Sequence, residues 1–451
     1  MEILEIQQIA NWCTGEVLNK NLLDKKCSGI SIDTRRIKKG ELFIAIRGEK
    51  HDGHKFIGQA LEKGAIAVVV DNIPDFARNY TIRVPDTLKA LGDIAFNYKK
   101  MFNTYTIGIT GSDGKTTTKE LIKKTLSVRY KTTSTEGNFN NAIGLPLSIF
   151  HLDRTKEFCI LEMGMNRTGE IDYLSRIAQP QAAVITNIGT AHIGYFNSMS
   201  AIAEAKSEII KNLIGEKLCV LNYDSRFYNF FKQKAPACSL SFGKKPGADV
   251  RGLITQERND SFSFYVEGEK ELFNMHFWNT TIVYPALIAY AIGKKFSIST
   301  TNLKEVFENI KPLPGRGMIH KTGNTTIIDE TYNCNPNSLK WALYTFSRKD
   351  FKKKIAVLGD MEELGRLSYV LHRNIGLFAK NLDIDLLVTF GRKSKAISQT
   401  AGKNCKHFEE IDALNRYLSK SIKGQETILI KGSRAMGLEK TVEYLIQKEG
   451  N

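Results

Sequence analysis

The stretch Tyr105-Thr-Ile-Gly-Ile-Thr-Gly-Ser-Asp-Gly-Lys-Thr-Thr-Thr118 constrains this chain more than any other. Thr106, Ile107 and Ile109 favour a strand, and Leu121, Ile122 and Leu126 recur at the spacing of a helix's apolar side. A glycine turn between such elements is a phosphate cradle. Gly111 and Gly114 put no Cβ in the way of converging N–H groups, and the helix N-terminus adds its positive dipole end. Within Gly111-Ser112-Asp113-Gly114-Lys115-Thr116-Thr117, Lys115 supplies a point charge for the outer phosphates and the Thr116 hydroxyl a hard ligand for Mg²⁺. The residue five before Gly114 is Ile109, so the spacing is a tighter G-x-x-G-K-T-T rather than the common phosphate loop. The expectation is an ATP-binding α/β unit. A glycine turn that merely caps an ordinary helix is the plainer alternative, and the flanking strand and helix weigh against it.

A chain of 451 residues is too long for one core, and about three domains are expected. Residues 1–102 read as a small α/β domain, with short strands in Gly40–Gly48 and Gly64–Val70 and helical spacing at Phe56, Ala60 and Leu61. Residues 103–311 alternate strands with helices, which predicts a largely parallel sheet carrying the phosphate loop. Pro312-Leu-Pro-Gly-Arg-Gly317 punctuates the chain. Beyond it, Ile355–Asp360, Leu386–Gly391 and Thr427–Gly432 each run from apolar strand into glycine, a second parallel, Rossmann-like domain over 312–451. Seven cysteines at irregular spacings predict reduced thiols and a cytoplasmic protein. The acidic N-terminus lacks the layout of a secretory signal, and no stretch of about twenty apolar residues is present, so no membrane insertion is expected. The formal charge of +16 is scattered and accompanied by no nucleic-acid signature, so solvated surface or anionic small substrates are expected rather than nucleic acid.

Three further side chains carry chemistry. Glu162 closes the buried run Phe158–Leu161, where a carboxylate beside a phosphate loop suits Mg²⁺; alone it would equally be a solvated strand end. His192 sits in the loop after the next strand and is either structural or a ligand of a second Mg²⁺. Lys206 falls inside the stripe Ile202, Ile209, Ile210 and Leu213. A buried lysine loses proton affinity, and its neutral amine can add CO₂ to become a carbamate ligand. The pattern by itself favours the alternative, a stem laid on the core with its charge led outward.

Together these elements resemble the Mur ligase family, ATP-dependent amide-forming enzymes of peptidoglycan synthesis. The resemblance runs through Gly111–Thr117, Asn140-Asn-Ala-Ile-Gly-Leu-Pro146, Glu162-Met-Gly164, Thr186–His192, Ala205-Lys206-x-Glu208, Asp329-Glu-Thr-Tyr-Asn-Cys-Asn-Pro336, Leu358–Gly365 and Lys431-Gly-Ser-Arg434. It implies ATP and Mg²⁺ as cofactors, with Asn140, Arg316, Asp329, Tyr332 and Asn333 joining the loop in nucleotide binding. It implies a carbamylated Lys206 that shares a second metal with His192. Catalysis would then rest on Lys115, His192 and Lys206. Ser31, Thr34, Arg35, Arg47, Asp52, Gly53 and His54 are the implied uridine-nucleotide region, and Lys431 and Arg434 the implied contacts to an acyl phosphate or peptide carboxylate. The last three motifs resemble the branch that takes UDP-N-acetylmuramoyl-tripeptide and D-alanyl-D-alanine, as a monomer, through an acyl phosphate. The family's His-Asn pair near the end of the central domain is absent; Trp278-Asn-Thr-Thr-Ile-Val-Tyr-Pro-Ala286 stands there. The alternatives are a folylpolyglutamate-type ligase or a nucleic-acid-dependent phosphate-loop NTPase.

Overall fold

Successive side chains leave a strand on opposite faces, and in the strand Phe158–Glu162 both faces are buried. Phe158 and Ile160 join one apolar cluster while Cys159 and Leu161 join another, so the sheet must be covered by helices on both sides. The structure, a computed structural model, describes residues 1–48, 51–196 and 198–449. Its largest sheet has nine strands, in the order Leu272–Met275, Phe262–Val266, Val250–Glu257, Ser239–Gly243, Leu218–Asn222, Ala182–Ile185, Tyr105–Thr110, Phe158–Glu162 and Thr132–Ser134. The pairs from Thr132 to Val250 are parallel. The largely parallel sheet expected from the sequence is present, and the last three strands add an antiparallel extension to it. No helix separates them, and an apolar run alone does not reveal strand direction.

A five-stranded sheet precedes it, ordered Glu16–Val17, Thr81–Arg83, Ala67–Val70, Leu42–Ile44 and Ile30–Ser31. Its helix Ile57–Glu62 buries Ile57 and Ala60, whereas Phe56, expected on the inner face, is exposed just before the helix begins. The helix Thr87–Lys99 then packs against central helices, and Tyr98 Oη donates to Leu152 O at 2.7 Å. The last sheet has six strands, ordered Met318–Thr322, Thr325–Glu330, Glu426–Lys431, Lys353–Gly359, Leu386–Phe390 and Cys405–Phe408. Its three expected strands are present, preceded by an antiparallel hairpin, Met318–Thr322 with Thr325–Glu330, that the sequence reading left out. All seven cysteines are free thiols. Among the described residues, no helix is long and apolar enough to cross a membrane.

Candidate active site

The strand Tyr105–Thr110 lies between Ala182–Ile185 and Phe158–Glu162, where the chain departs to both sides of the sheet. That reversal opens a crevice at the carboxyl ends of the strands. Gly111, at φ +151°, comes so close to Thr186 that a Cβ would lie 1.8 Å from its Oγ1. Gly114 takes φ +79° as the residue before the helix Lys115–Ser127. No side chain caps that helix, so its first-turn N–H groups stay open towards the cleft. The expectation that the whole loop offers N–H groups to phosphate is narrowed. The Ser112 N–H donates to Asn187 O at 3.0 Å and the Asp113 N–H to Asn187 Oδ1 at 2.7 Å, so these two hold the loop's shape. Lys115 arches back over the turn, its Nζ 2.8 Å from Gly111 O.

Two hard oxygen ligands meet beside the helix start. Thr116 Oγ1 donates to Glu162 Oε2 at 2.8 Å, and Asn140 Nδ2 donates to Glu162 Oε1 at 2.8 Å. Glu162 is 3% exposed, so it is not a solvated strand end. Lys206 is 1% exposed: its charge is not led outward, contrary to the simpler sequence pattern. Burial first, and then the nearby Lys115 charge, holds its proton affinity well below that of an ordinary lysine, against the opposing pull of Asp113 and Glu162. His192 is in the left-handed region at φ 62°, and its Nδ1 lies 2.7 Å from Glu363 Oε2, off the line of a good hydrogen bond. Among the described residues no group of three or more His, Cys, Asp or Glu is arranged to hold a metal ion by itself.

The C-terminal domain reaches into this crevice. Arg316 Nη2 donates to Thr116 Oγ1 at 3.0 Å while its guanidinium lies 3.8 Å above the Tyr332 ring. Asn335 Nδ2 donates to Asp113 Oδ1 at 2.5 Å. Tyr332 and Asn333 line the cleft as expected residues of the site, but Asp329 does not. Its carboxylate accepts the Gly315 N–H at 3.1 Å and the Thr331 N–H at 3.0 Å, bracing the hinge instead. Glu330, its neighbour, projects from the opposite face of the strand into the cleft, where it accepts from Trp278 Nε1 at 3.2 Å and Lys431 Nζ at 3.0 Å. Lys431 is therefore a buried, paired cation rather than a free one. Burial lowers its proton affinity, but the Glu330 charge outweighs it and the net shift is upward. Arg434 is exposed on the cleft wall.

The N-terminal residues divide. Arg47 lines the central cleft and pairs with Asp71 at 2.9 Å. His54 lies between Asp52, 2.8 Å from Nδ1, and Asp71, 3.0 Å from Nε2. The Gly53 N–H donates to Ile46 O at 2.9 Å, closing this turn. Of the expected N-terminal residues only Arg47 lines the cleft; Asp52, Gly53 and His54 adjoin it through Arg47 and Asp71, and Ser31, Thr34 and Arg35 do not. Ser31 Oγ accepts from Asp33 N–H, Thr34 Oγ1 donates to Gln59 Oε1, and Arg35 pairs with Asp33 on the surface. Sequence reasoning missed Asp71, Asn187, Glu330, Asn335 and Glu363. Asn187, Glu330, Asn335 and Glu363 all lay inside quoted motifs without being singled out; nothing local marks Asp71. The cleft that these walls share measures about 2350 Å³. That is several times the roughly 300–1,000 Å³ of a single small-ligand pocket, so it has room for more than one substrate.

An open-ended phosphate loop, a hydroxyl–carboxylate pair beside it and a second α/β domain leaning over both define a phosphate-handling α/β enzyme. The chain belongs to the Mur ligase family. It matches the Mur ligase family catalytic domain over residues 26–99, the Mur ligase middle domain over 109–293 and the Mur ligase glutamate ligase domain over 315–434. It is 36% identical to the UDP-N-acetylmuramoyl-tripeptide--D-alanyl-D-alanine ligase of Bacillus subtilis, covering 98% of each chain. Its structure resembles MurF from Acinetobacter baumannii (TM-score 0.92, 29% identity, 99% of each chain). It also resembles MurF ligase from Thermotoga maritima in complex with ADP (TM-score 0.82, 27% identity, 93% of this chain and 97% of that one).

Proposed function

We propose that this chain is an ATP-dependent ligase that joins D-alanyl-D-alanine to UDP-N-acetylmuramoyl-tripeptide, forming UDP-N-acetylmuramoyl-pentapeptide for peptidoglycan. The observation that carries the reading is the meeting of the uncapped helix start, Lys115 and the Thr116–Glu162 pair under Arg316 of the C-terminal domain. That arrangement concentrates positive charge where a γ-phosphoryl group would be transferred. The acceptor is the tripeptide's terminal carboxylate, which becomes an acyl phosphate; the dipeptide amine then displaces phosphate. Of the three ammonium protons, one stays on the amide nitrogen, one leaves with the phosphate and one passes to water.

Thr116 and Glu162 suit Mg²⁺, because that ion takes one or two protein oxygens and fills its shell with water and phosphate. The absence of a larger acidic cluster among the described residues accords with this. Bound Mg²⁺ supplies neutralisation of phosphate charge. A neutral Lys206 amine, once it has added CO₂, becomes an anionic oxygen ligand beside His192. Arg316, Tyr332, Asn333 and Asn140 surround the nucleotide. Arg47, Asp52 and His54, with Asp71, take the uridine end of the substrate; Lys431 fixes Glu330, and Arg434 is open to a substrate anion. The division of labour follows residues 1–102, 103–311 and 312–451, in a cytoplasmic monomer.

The test is ADP release by the purified protein given ATP and UDP-N-acetylmuramoyl-tripeptide, with D-alanyl-D-alanine or single amino acids added in turn. Release that requires the tripeptide nucleotide and the dipeptide together is the expected result. Release driven instead by a folate and glutamate, or by RNA or DNA, would overturn the proposal.

A further inference from the structure

The seam between the central and C-terminal domains is built from two loops held in unusual backbone conformations. His192 and Glu363 both take left-handed φ values, 62° and 63°, which non-glycine residues adopt at a cost of about 1 kcal/mol or more each. The loops are locked by backbone contact. The Gly194 N–H donates to Glu363 O at 2.9 Å, and a Cβ on Gly194 would lie 2.4 Å from the Gly365 nitrogen. The Glu363 carboxylate is thereby fixed beside His192 on the wall of the cleft, 39% exposed.

The other acids nearest the phosphate loop are already committed. Asp113 holds Asn335 and Asn187, Glu162 holds Thr116 and Asn140, and Glu330 holds Trp278 and Lys431, each with both oxygens. Among the described residues only Oε2 of Glu363 meets a neighbour, which leaves Oε1 open to the cleft.

We propose that Glu363 receives the α-ammonium group of the incoming dipeptide and aims it at the activated carbonyl, a role delivered by the C-terminal domain. The inference rests on the ligase reading above. At the phosphate loop itself, Lys115 and Arg316 are placed for phosphate and would repel an ammonium group. A fixed, half-occupied carboxylate at the seam supplies the missing attraction, and a charge-assisted bond of this kind is among the stronger polar contacts.

The experiment compares wild type with Glu363→Gln and Glu363→Asp. Glu363→Gln is expected to raise the KM for D-alanyl-D-alanine about 10-fold or more, with Glu363→Asp intermediate. The KM values for ATP and for the tripeptide nucleotide are expected to stay within about twofold. Positional isotope exchange in ATP with the tripeptide nucleotide alone, which reads phosphoryl transfer without the amine, is expected to persist in Glu363→Gln and shows that the variant is folded. Inhibition by D-lactyl-D-alanine, which carries a hydroxyl in place of the ammonium, is expected to be insensitive to the substitution. An unchanged dipeptide KM overturns the proposal. So does a parallel loss of ATP affinity and isotope exchange, which would make Glu363 only a brace between domains. Wild-type protein without dipeptide-dependent ADP release would instead defeat the ligase reading itself.

Discussion

Two of the buried lysines of this molecule are held in opposite states. Lys206 sits on the inner stripe of the helix Met199–Lys211 at 1% exposure, and burial, then Lys115, depresses its proton affinity far below that of an ordinary lysine. Lys431 ends the strand Glu426–Lys431 at 3% exposure; burial depresses it too, yet Glu330 at 3.0 Å reverses the balance and the net shift is upward. Burial makes the proton's position matter, and the partner decides its direction. The central domain keeps an amine whose hold on its proton is weakened next to the transfer site. The C-terminal domain keeps a permanent cation that fixes Glu330 and the Asn333 carbonyl under the hinge.

The largest expected effect comes from removing the charge that helps depress Lys206. Lys115→Ala is expected to lower dipeptide-dependent ADP release by about 10³-fold, since it also strips the loop of its phosphate cation. Near-normal turnover in that variant would mean the phosphate loop is misassigned. Next, Glu330→Gln leaves Lys431 buried without a counter-charge and should cost about 3–5 kcal/mol in chemical denaturation. A loss below about 1 kcal/mol would show that the pair is not what sustains the buried cation.

Stability against pH sharpens the contrast through its sign. Lys206 has a folded-state pKa below the unfolded value, so the folded state binds fewer protons between the two. Its cost is greatest at low pH and relieved as pH climbs towards the ordinary lysine value of 10.5. Lys431 has a raised folded pKa; its contribution is complete below 10.5 and lost as pH rises through the folded value. In CO₂-free buffer, Lys206→Met is therefore expected to be stabilising near neutral pH, with a gain that shrinks towards alkaline pH. A pH-independent effect would contradict the depressed state. The smallest effect belongs to the surface: Arg35→Ala removes an exposed pair with Asp33 and should change stability by no more than about 1 kcal/mol. A larger change would mean that exposed pairs here behave like the buried ones.

Legibility from the sequence followed how local each feature is. The phosphate loop, its helix and the place of Lys206 on an apolar stripe depend on residues within two or three turns of one another and were readable; that the Lys206 charge stays inside was not, because the pattern alone favours a stem that leads its charge outward. At the hinge, the sequence reading chose Asp329, but the side chain facing the cleft is that of Glu330, because a one-residue step along a strand exchanges its faces. Ser31, Thr34 and Arg35 were grouped with Arg47 by resemblance; in the structure Ser31 and Arg35 bond Asp33 within one turn and Thr34 bonds Gln59 of the helix Ile57–Glu62. Glu363 lay inside the motif Leu358–Gly365, but nothing there marked it as facing His192. It matters because a loop more than 160 residues beyond His192 in the chain folds back onto it, and periodicity does not encode such a meeting.

The central claim is that the tripeptide's terminal carboxylate is phosphorylated before the amine attacks. It is tested most directly by supplying UDP-N-acetylmuramoyl-tripeptide labelled with ¹⁸O in that carboxylate and analysing the products by mass spectrometry. The account predicts one ¹⁸O atom in the phosphate released with each amide bond formed. Phosphate free of label, alongside normal pentapeptide formation, would contradict it.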